Sequence, residues 1–325
     1  MSALFATGYA ATNMRVVSKR RRYIMVSVLA IAVGLGFMLA NVIMGNGAFN
    51  LDVEFTGGTD ITIELEREFD VADIQRIVLE ATGEGAAQIQ PILGTNSVAI
   101  RMAELGAQQR QALITSITAE YDLNPDEHIT MIDVSATISG EMQRSAIIAI
   151  VLACAAMMLY IAVRFRDMKI GLSMIIAAAH DVIIVLLFYS VLRIPLSNSF
   201  IAAMLTVLGF SINATIIIFD RFRENRKLAA QALKDNAMMG KRKIAEPNLE
   251  EQLDLSINQT ILRCVYTALF VLVVSLCLYI LGVPAIRDFT LPIIIATICG
   301  TYSSVFLSGP IYYMLVGGKE PAAAG

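Results

Sequence analysis

The 325-residue chain has no Walker loop, no paired Cys/His metal spacing and no nucleophile elbow. Nucleotide hydrolysis, zinc chemistry and serine-type proteolysis are therefore not encoded in it. Charge is also scarce. Only 16% of residues are Asp, Glu, Lys or Arg, against 56% hydrophobic, and the mean hydropathy is +0.65. Soluble domains carry about 25% charged residues, so this composition predicts an integral membrane protein. The four cysteines, Cys154, Cys264, Cys277 and Cys299, all fall in apolar runs without paired spacing. That excludes a disulfide framework and leaves them as small apolar packing residues. The basic patch ahead of the first apolar run lacks a small-x-small cleavage site, which favours an anchor over a removable signal peptide. Apart from a short Ala-rich tail there is no low-complexity segment or long internal repeat.

Crossing about 30 Å of hydrocarbon takes about 20 apolar residues. Six runs qualify: 23–44, 147–163, 170–192, 200–219, 261–283 and 289–316. The second is the shortest and is expected to extend back toward Arg144. Orientation follows from lysine and arginine, which are enriched in cytoplasmic loops. With the N-terminus inside, the cytoplasmic pieces hold seventeen of them and the external pieces six. Both termini are therefore expected in the cytoplasm. Acidic residues are skewed the other way: 17 of the 28 lie between Asp52 and Glu141, hidden behind a net charge of only −3. An acidic external domain argues against a nucleic-acid partner.

The predicted organisation is a basic N-terminus with the first span (1–45), an external soluble domain (46–142), spans two to four (143–220), a cytoplasmic connector (221–257), spans five and six (258–316) and a tail (317–325). Within the soluble domain, Ile61, Ile63 and Leu65 alternate with Thr62 and Glu64 as in a half-buried strand. Asp70 is placed to cap a helix with the stripe Val71, Ile74, Ile77 and Val78. Residues 86–93 and 97–102 read as strands joined at Gly94, Thr95 and Asn96. A helix over 108–121 follows, Pro125 ends it, and residues 128–135 alternate again. The order strand, helix, strand, strand, helix, strand is the ferredoxin-like pattern. In the connector, Asn248 and Glu251 have capping-box spacing, so a helix is expected to start near Leu249 and run into the fifth span.

Polar residues inside the apolar runs are the candidates for chemistry, because burying them in hydrocarbon costs several kcal/mol unless they are paired or hydrated. His180 and Asp181 lie midway along the third span, about 16 Å from its cytoplasmic end at 1.5 Å per residue. One interhelical hydrogen bond each, fixing packing alone, is the competing reading. Asn213 sits in the fourth span about 10 Å from its end, and Arg263 in the fifth about 8 Å from its own. The two are expected at one depth, where they could face each other, unless Arg263 snorkels to the interface. The tripeptides at Asn213 and Asn258 resemble glycosylation sequons but lie in or at the membrane. In the last span, Gly300, Thr301, Tyr302, Ser303 and Ser304 permit close helix approach and interhelical hydrogen bonds. After the first span, Phe55, Thr56, Gly57, Gly58 and Thr59 put paired glycines beside a strand, the mark of a bulge or close backbone approach.

Taken together these segments resemble the SecF branch of the SecD/SecF family of the bacterial preprotein translocation machinery, a relative of the RND transporters. The resemblance covers most of the chain. It rests on residues 51–59, on Ala179, His180 and Asp181, on residues 209–225 with Asp220 and Arg221 at their end, on Asn258 to Arg263, and on Val283 and Pro284, Asp288 and Phe289, and residues 300–304. It implies a six-helix subunit without enzymatic activity or bound cofactor, paired with SecD in the cytoplasmic membrane. It further implies action beside the SecY/SecE/SecG channel and SecA, with YidC and YajC nearby, on an unfolded preprotein and driven by a proton or sodium gradient. Membrane lipids are the remaining contact. Many family members carry Asp directly after the fourth-span Asn, and here that position is Ala214. Ion coupling would then rest on Asp181, on a partner carboxylate, or on oxygens such as those of Asn213 and Thr215, with His180, Arg263 and Thr301 as further polar candidates. A free-standing RND-like exporter of lipids or small amphiphiles is the alternative, and an intramembrane enzyme built on His180 and Asp181 is a third reading.

Overall fold

The computed structural model describes residues 12–45, 47–83, 85, 87–92, 96–165, 167–238 and 248–317. The chain divides into two compact units, Leu51–Ala149 with Pro195–Asn198, and the remainder. Six helices among the described residues are long and apolar enough to cross a membrane, and the chain is a multi-pass membrane protein.

The first membrane helix, α1 (Arg20–Ile43), buries little beyond Ser27 and Gly34. The smaller unit follows. A short helix α2 (Val53–Thr56), capped by the Asp52 carboxylate, leads into β1 (Gly58–Glu64). Then come α3 (Val71–Thr82), β2 (Gln88–Ile92), β3 (Ser97–Met102), α4 (Ala107–Tyr121), a one-turn α5 (Pro125–His128) and β4 (Ile129–Val134). The sheet is antiparallel throughout with order β2-β3-β1-β4. This is the ferredoxin-like arrangement expected from the alternation. Asp70 caps α3 as predicted, accepting from Ala72 N–H at 3.0 Å. Ile61, Ile63, Val98 and Ile100 project from one sheet face and bury against Ile74, Ile77, Leu113 and Ile117 of the two helices. The expected turn at Gly94 and Thr95 lies outside the described residues.

The paired glycines have separate tasks. Gly57 (φ +73°) ends α2, and Gly58 (φ +129°) starts β1 in a conformation that residues with a Cβ rarely adopt. A Cβ on Gly58 would also lie 2.3 Å from the carbonyl oxygen of Met102. We expect Gly58→Ala to destabilise this unit by about 2 kcal/mol or more, measured as a lower temperature for loss of protection of β1 and β3 amides in hydrogen exchange. Unchanged protection would contradict the fit.

After β4 come α6 (Ala136–Phe165), which belongs to the smaller unit up to Ala149 and to the larger from Ile150, then α7 (Met168–Leu192), α8 (Asn198–Met238), α9 (Leu249–Leu281), α10 (Pro284–Phe306) and α11 (Ser308–Val316) of the larger unit. The second span does extend back past Arg144, and α9 does begin at Leu249. Two expectations need correction. The fourth helix continues far beyond Phe219, because Phe222, Asn225 and Ala229 keep a helical stripe buried. Much of the connector drawn at 221–257 is therefore helix, while residues 239–247 lie outside the described set. The sixth span is two helices separated at Leu307. Pro310 explains the break: it has no N–H to donate to the Phe306 carbonyl four residues back.

At the arginine-bearing end of this unit, Phe219, Phe222 and Tyr312 stack edge to face with centroids 5.5 to 6.5 Å apart, all fully buried. Residues 12–19 cross the same end. Val16 and Val17 are fully buried there. Asn258 ties this strap to α9: its amide accepts from Met14 N–H and donates to the Met14 carbonyl, both at 2.8 Å, while Asp254 accepts from Val17 N–H at 2.8 Å.

Candidate functional site

Asp181 is the most deeply buried charged side chain among the described residues of the membrane unit, 1% exposed. Its helix α7 points it at α8 and α10. Oδ2 accepts hydrogen bonds from Ser211 Oγ of α8 at 2.6 Å and Ser303 Oγ of α10 at 2.8 Å. Oδ1 lies 3.1 Å from His180 Nδ1. Three helices thus converge on one carboxylate, and donors solvate it in place of water.

Gly300 makes the convergence possible. A Cβ there would sit 3.0 Å from Ser211 Cβ and 3.5 Å from Asp181 Oδ2, so even a methyl group would make α8 and α10 give by a few tenths of an ångström. Hydroxyls extend the polar column along α8 and α10. Thr215 Oγ1 donates to Ser304 Oγ at 2.9 Å, Ser304 Oγ donates to the Ser211 carbonyl at 3.0 Å, and Ser308 Oγ donates to the Ser304 carbonyl at 2.5 Å. The column stops at the Phe219, Phe222 and Tyr312 cluster. Two buried atoms beside it, His180 Nε2 and Thr297 Oγ1, have no hydrogen-bond partner among the described residues. If His180 Nδ1 carries the proton toward Asp181, Nε2 is left as a free acceptor.

The other sequence candidates are placed as follows. Thr215 belongs to the column. Thr301 does not: its Oγ1 donates back to the Thr297 carbonyl at 2.7 Å. Asn213 and Arg263 are at one depth, since Cys264 Sγ lies 3.9 Å from the Ala214 carbonyl. They do not form a pair inside the chain, however, because Ala214 and Cys264 are buried at the α8–α9 contact while Asn213 and Arg263 are exposed. Neither side chain has a hydrogen-bond partner among the described residues. Asp220 pairs with Arg164 at 2.5 Å. Arg221 donates to Gln259 Oε1 at 2.7 Å and Glu224 at 2.6 Å, and Asn225 donates to the same Gln259 oxygen at 2.9 Å. Asn258 and Gln259 therefore brace the N-terminal strap and α8 from adjacent positions on α9.

In the smaller unit, Phe55 is buried and its carbonyl accepts from Gln143 Nε2 at 2.5 Å. Thr56 Oγ1 donates to the Asp52 carbonyl at 3.2 Å. Thr59 is fully buried, donates to Asp133 at 2.6 Å and accepts from Leu105 N–H at 3.2 Å. These contacts are architectural. Sequence reasoning missed Ser211 as a ligand of Asp181. The signal was its position two residues before Asn213, which turns it to a different helix face.

The profile of the family described as protein export membrane protein SecD/SecF, C-terminal, matches residues 114–317. The chain belongs to the SecD/SecF family. The SecF protein translocase subunit of Sebaldella termitidis is 31% identical over 284 residues, covering 84% of each chain. The SecDF subunit of Thermus thermophilus is 33% identical over 88% of this chain, which spans 36% of that protein's length. The crystal structure of Thermus thermophilus SecDF, titled a translocon-associated membrane protein, superposes with a TM-score of 0.79 at 30% identity, covering 95% of this chain and 39% of the other. The SecF and SecDF relatives place this chain in protein export, and the six helices with one inserted α+β domain match a member of this family.

Proposed function

We propose that this chain is the SecF-like half of a SecD/SecF pair in the cytoplasmic membrane, with both termini inside and the α+β domain outside. In this reading it uses a proton or sodium gradient to help draw exported chains through the SecY/SecE/SecG channel after SecA has acted. YidC and YajC are the further neighbours that the family resemblance implies. The observation that carries the pairing is the outward placement of Asn213 and Arg263. An amide and a guanidinium exposed at one depth on apolar helices need a polar partner. A second six-helix half carrying a carboxylate there would supply it. The greater length of the SecDF relatives supports the same division of labour.

Within this reading Asp181 is the group of this chain that exchanges a proton or holds the cation. Ser211 and Ser303 orient its carboxylate, and His180 presents the nitrogen through which a proton would arrive. Thr215 and Ser304 continue the polar column. Ala214 supplies no carboxylate, and its burial against Cys264 leaves the adjoining outer face to Asn213 and Arg263.

The test is affinity purification from native membranes, with export measured in parallel. Wild-type protein should bring down a SecD-like subunit. Asn213→Ala with Arg263→Ala should reduce its recovery roughly tenfold, the loss expected when a desolvated charged hydrogen bond is removed. Recovery of this chain only with itself would overturn the pairing.

A further inference from the structure

The four-stranded sheet ends on two unequal edges. β2, at one end, contains Pro91, whose nitrogen has no hydrogen to offer a further strand. β4, at the other end, reads Ile-Thr-Met-Ile-Asp-Val. It has no proline, lysine or glycine bulge to blunt the edge, and its one charged residue, Asp133, is held by Thr59 and Arg110. β1 occupies one side of β4 along Gly58 to Ile63. Among the described residues, no backbone hydrogen bond outside the sheet ladder involves residues 130–134. Ile129 and Met131 pack toward the helices, and the intervening Thr130 and Ile132 are exposed, Ile132 at 54%. An open ladder of N–H and C=O groups is thus flanked by an exposed hydroxyl and an exposed apolar side chain.

Charge selects what fits there. Residues 46–142 contain 17 acidic residues, four arginines and no lysine. Asp126 and Glu127, just before β4, are exposed, whereas the Asp133 carboxylate is already taken by Thr59 at 2.6 Å and Arg110 at 2.7 Å. The surroundings of the edge therefore attract a chain that alternates apolar and basic side chains.

We infer that β4 is a strand-addition site for an extended, apolar-and-basic segment of an exported polypeptide. This rests on the export reading and specifies which part of the domain takes the client. Main-chain pairing provides affinity that varies little with sequence, as a carrier of many clients requires, and the exposed side chains add the preference for basic over acidic segments. β4 runs into the membrane helix α6 through Ser135 alone, so a client paired with β4 is held by the strand from which that helix continues.

The test uses the full-length protein in detergent and a twelve-residue peptide of alternating valine and lysine. N-methylation of alternate residues removes the donors on one side of the peptide. Methylation in one register should weaken binding at least about tenfold, and in the other register should leave it unchanged, because only every second N–H faces the edge. An alternating valine–glutamate peptide should bind at least about tenfold more weakly than the parent. A photocrosslinker replacing Ile132 should capture the peptide, while one replacing Gln88 on the proline-bearing edge should not. Equal binding in both methylated registers, equal capture from the two edges, or capture of a partner subunit from position 132 in the purified complex would each overturn the assignment. If any of these is found with export and SecD-like pairing intact, only the edge assignment falls. Loss of pairing itself would remove the export reading beneath it.

Discussion

Asp181→Asn is expected to abolish the ionophore-sensitive part of export, a loss of at least about tenfold, while the protein still inserts and still pairs. Asparagine preserves the shape of the side chain. Its carbonyl oxygen can accept from Ser211 and Ser303, which now donate to Oδ2 at 2.6 and 2.8 Å. Its amide can donate to His180 in the other tautomer. What it lacks is a charge, and therefore any means of binding a proton or a cation. The measurement is the export rate of a secreted reporter with and without an ionophore. A wild-type ionophore-sensitive rate in Asp181→Asn would remove Asp181 from coupling. Asp181→Leu separates the structural contribution: it strands the buried Ser211 hydroxyl, at about 1 to 3 kcal/mol when left unpaired, and leaves Ser303 only the Gly300 carbonyl at 3.2 Å, so it should also lower thermal stability. If both variants lost stability equally and export in proportion, the carboxylate would be a packing device alone.

Much of this architecture was legible because it rests on periodicity. The alternation at Ile61, Ile63 and Leu65 and the stripes of α3 and α4 led to the βαββαβ order without knowledge of long-range pairing. The six spans followed from hydropathy. The extension of α8 did not, because residues 220–238 are too polar for a hydropathy window even though Phe222, Asn225 and Ala229 keep its buried stripe. Depth was also readable: counting residues put Asn213 and Arg263 at one level, and the Ala214–Cys264 contact bears that out. Azimuth was not. One residue is 100° of helix rotation, so an uncertainty of a single position in which face packs was enough to turn Asn213 and Arg263 outward. The same sensitivity hid Ser211, since a serine in an apolar span has no mark until its facing helix is known.

The position of Ala214 sharpens the division between the two polar regions. One is internal to this chain, centred on Asp181 and closed toward the arginine-bearing end by Phe219, Phe222 and Tyr312. The other lies on the outer face at Asn213 and Arg263, and among the described residues no acid pairs with Arg263. A charged guanidinium without a carboxylate nearby is a site half made. The buried Ala214 shows why this chain does not complete it from within: any side chain there points into the α8–α9 contact rather than toward the outer face.

Gly300→Val should be more damaging to the chain than loss of the carboxylate itself, since it prevents the approach of α8 and α10 on which the carboxylate depends. A Cβ at this position would stand 3.0 Å from Ser211 Cβ and 3.1 Å from Ser211 Oγ, both atoms of a short side chain close to its backbone. Alanine can be absorbed by a shift of a few tenths of an ångström, at roughly 1 kcal/mol. Valine adds two methyl groups to a filled space and forces the helices apart, at roughly 3 kcal/mol or more. Parting them lengthens the Ser211 and Ser303 hydrogen bonds to Asp181 together. The expected order is therefore wild type, Gly300→Ala, Gly300→Val, both in melting temperature and in ionophore-sensitive export, with export falling more steeply because the carboxylate loses the two hydroxyl donors that orient it. Retention of export in Gly300→Val at a lowered melting temperature would mean that the serine clamp stabilises the bundle without orienting Asp181 for coupling. Wild-type behaviour in both measurements would mean that α8 and α10 do not close on each other in the working protein.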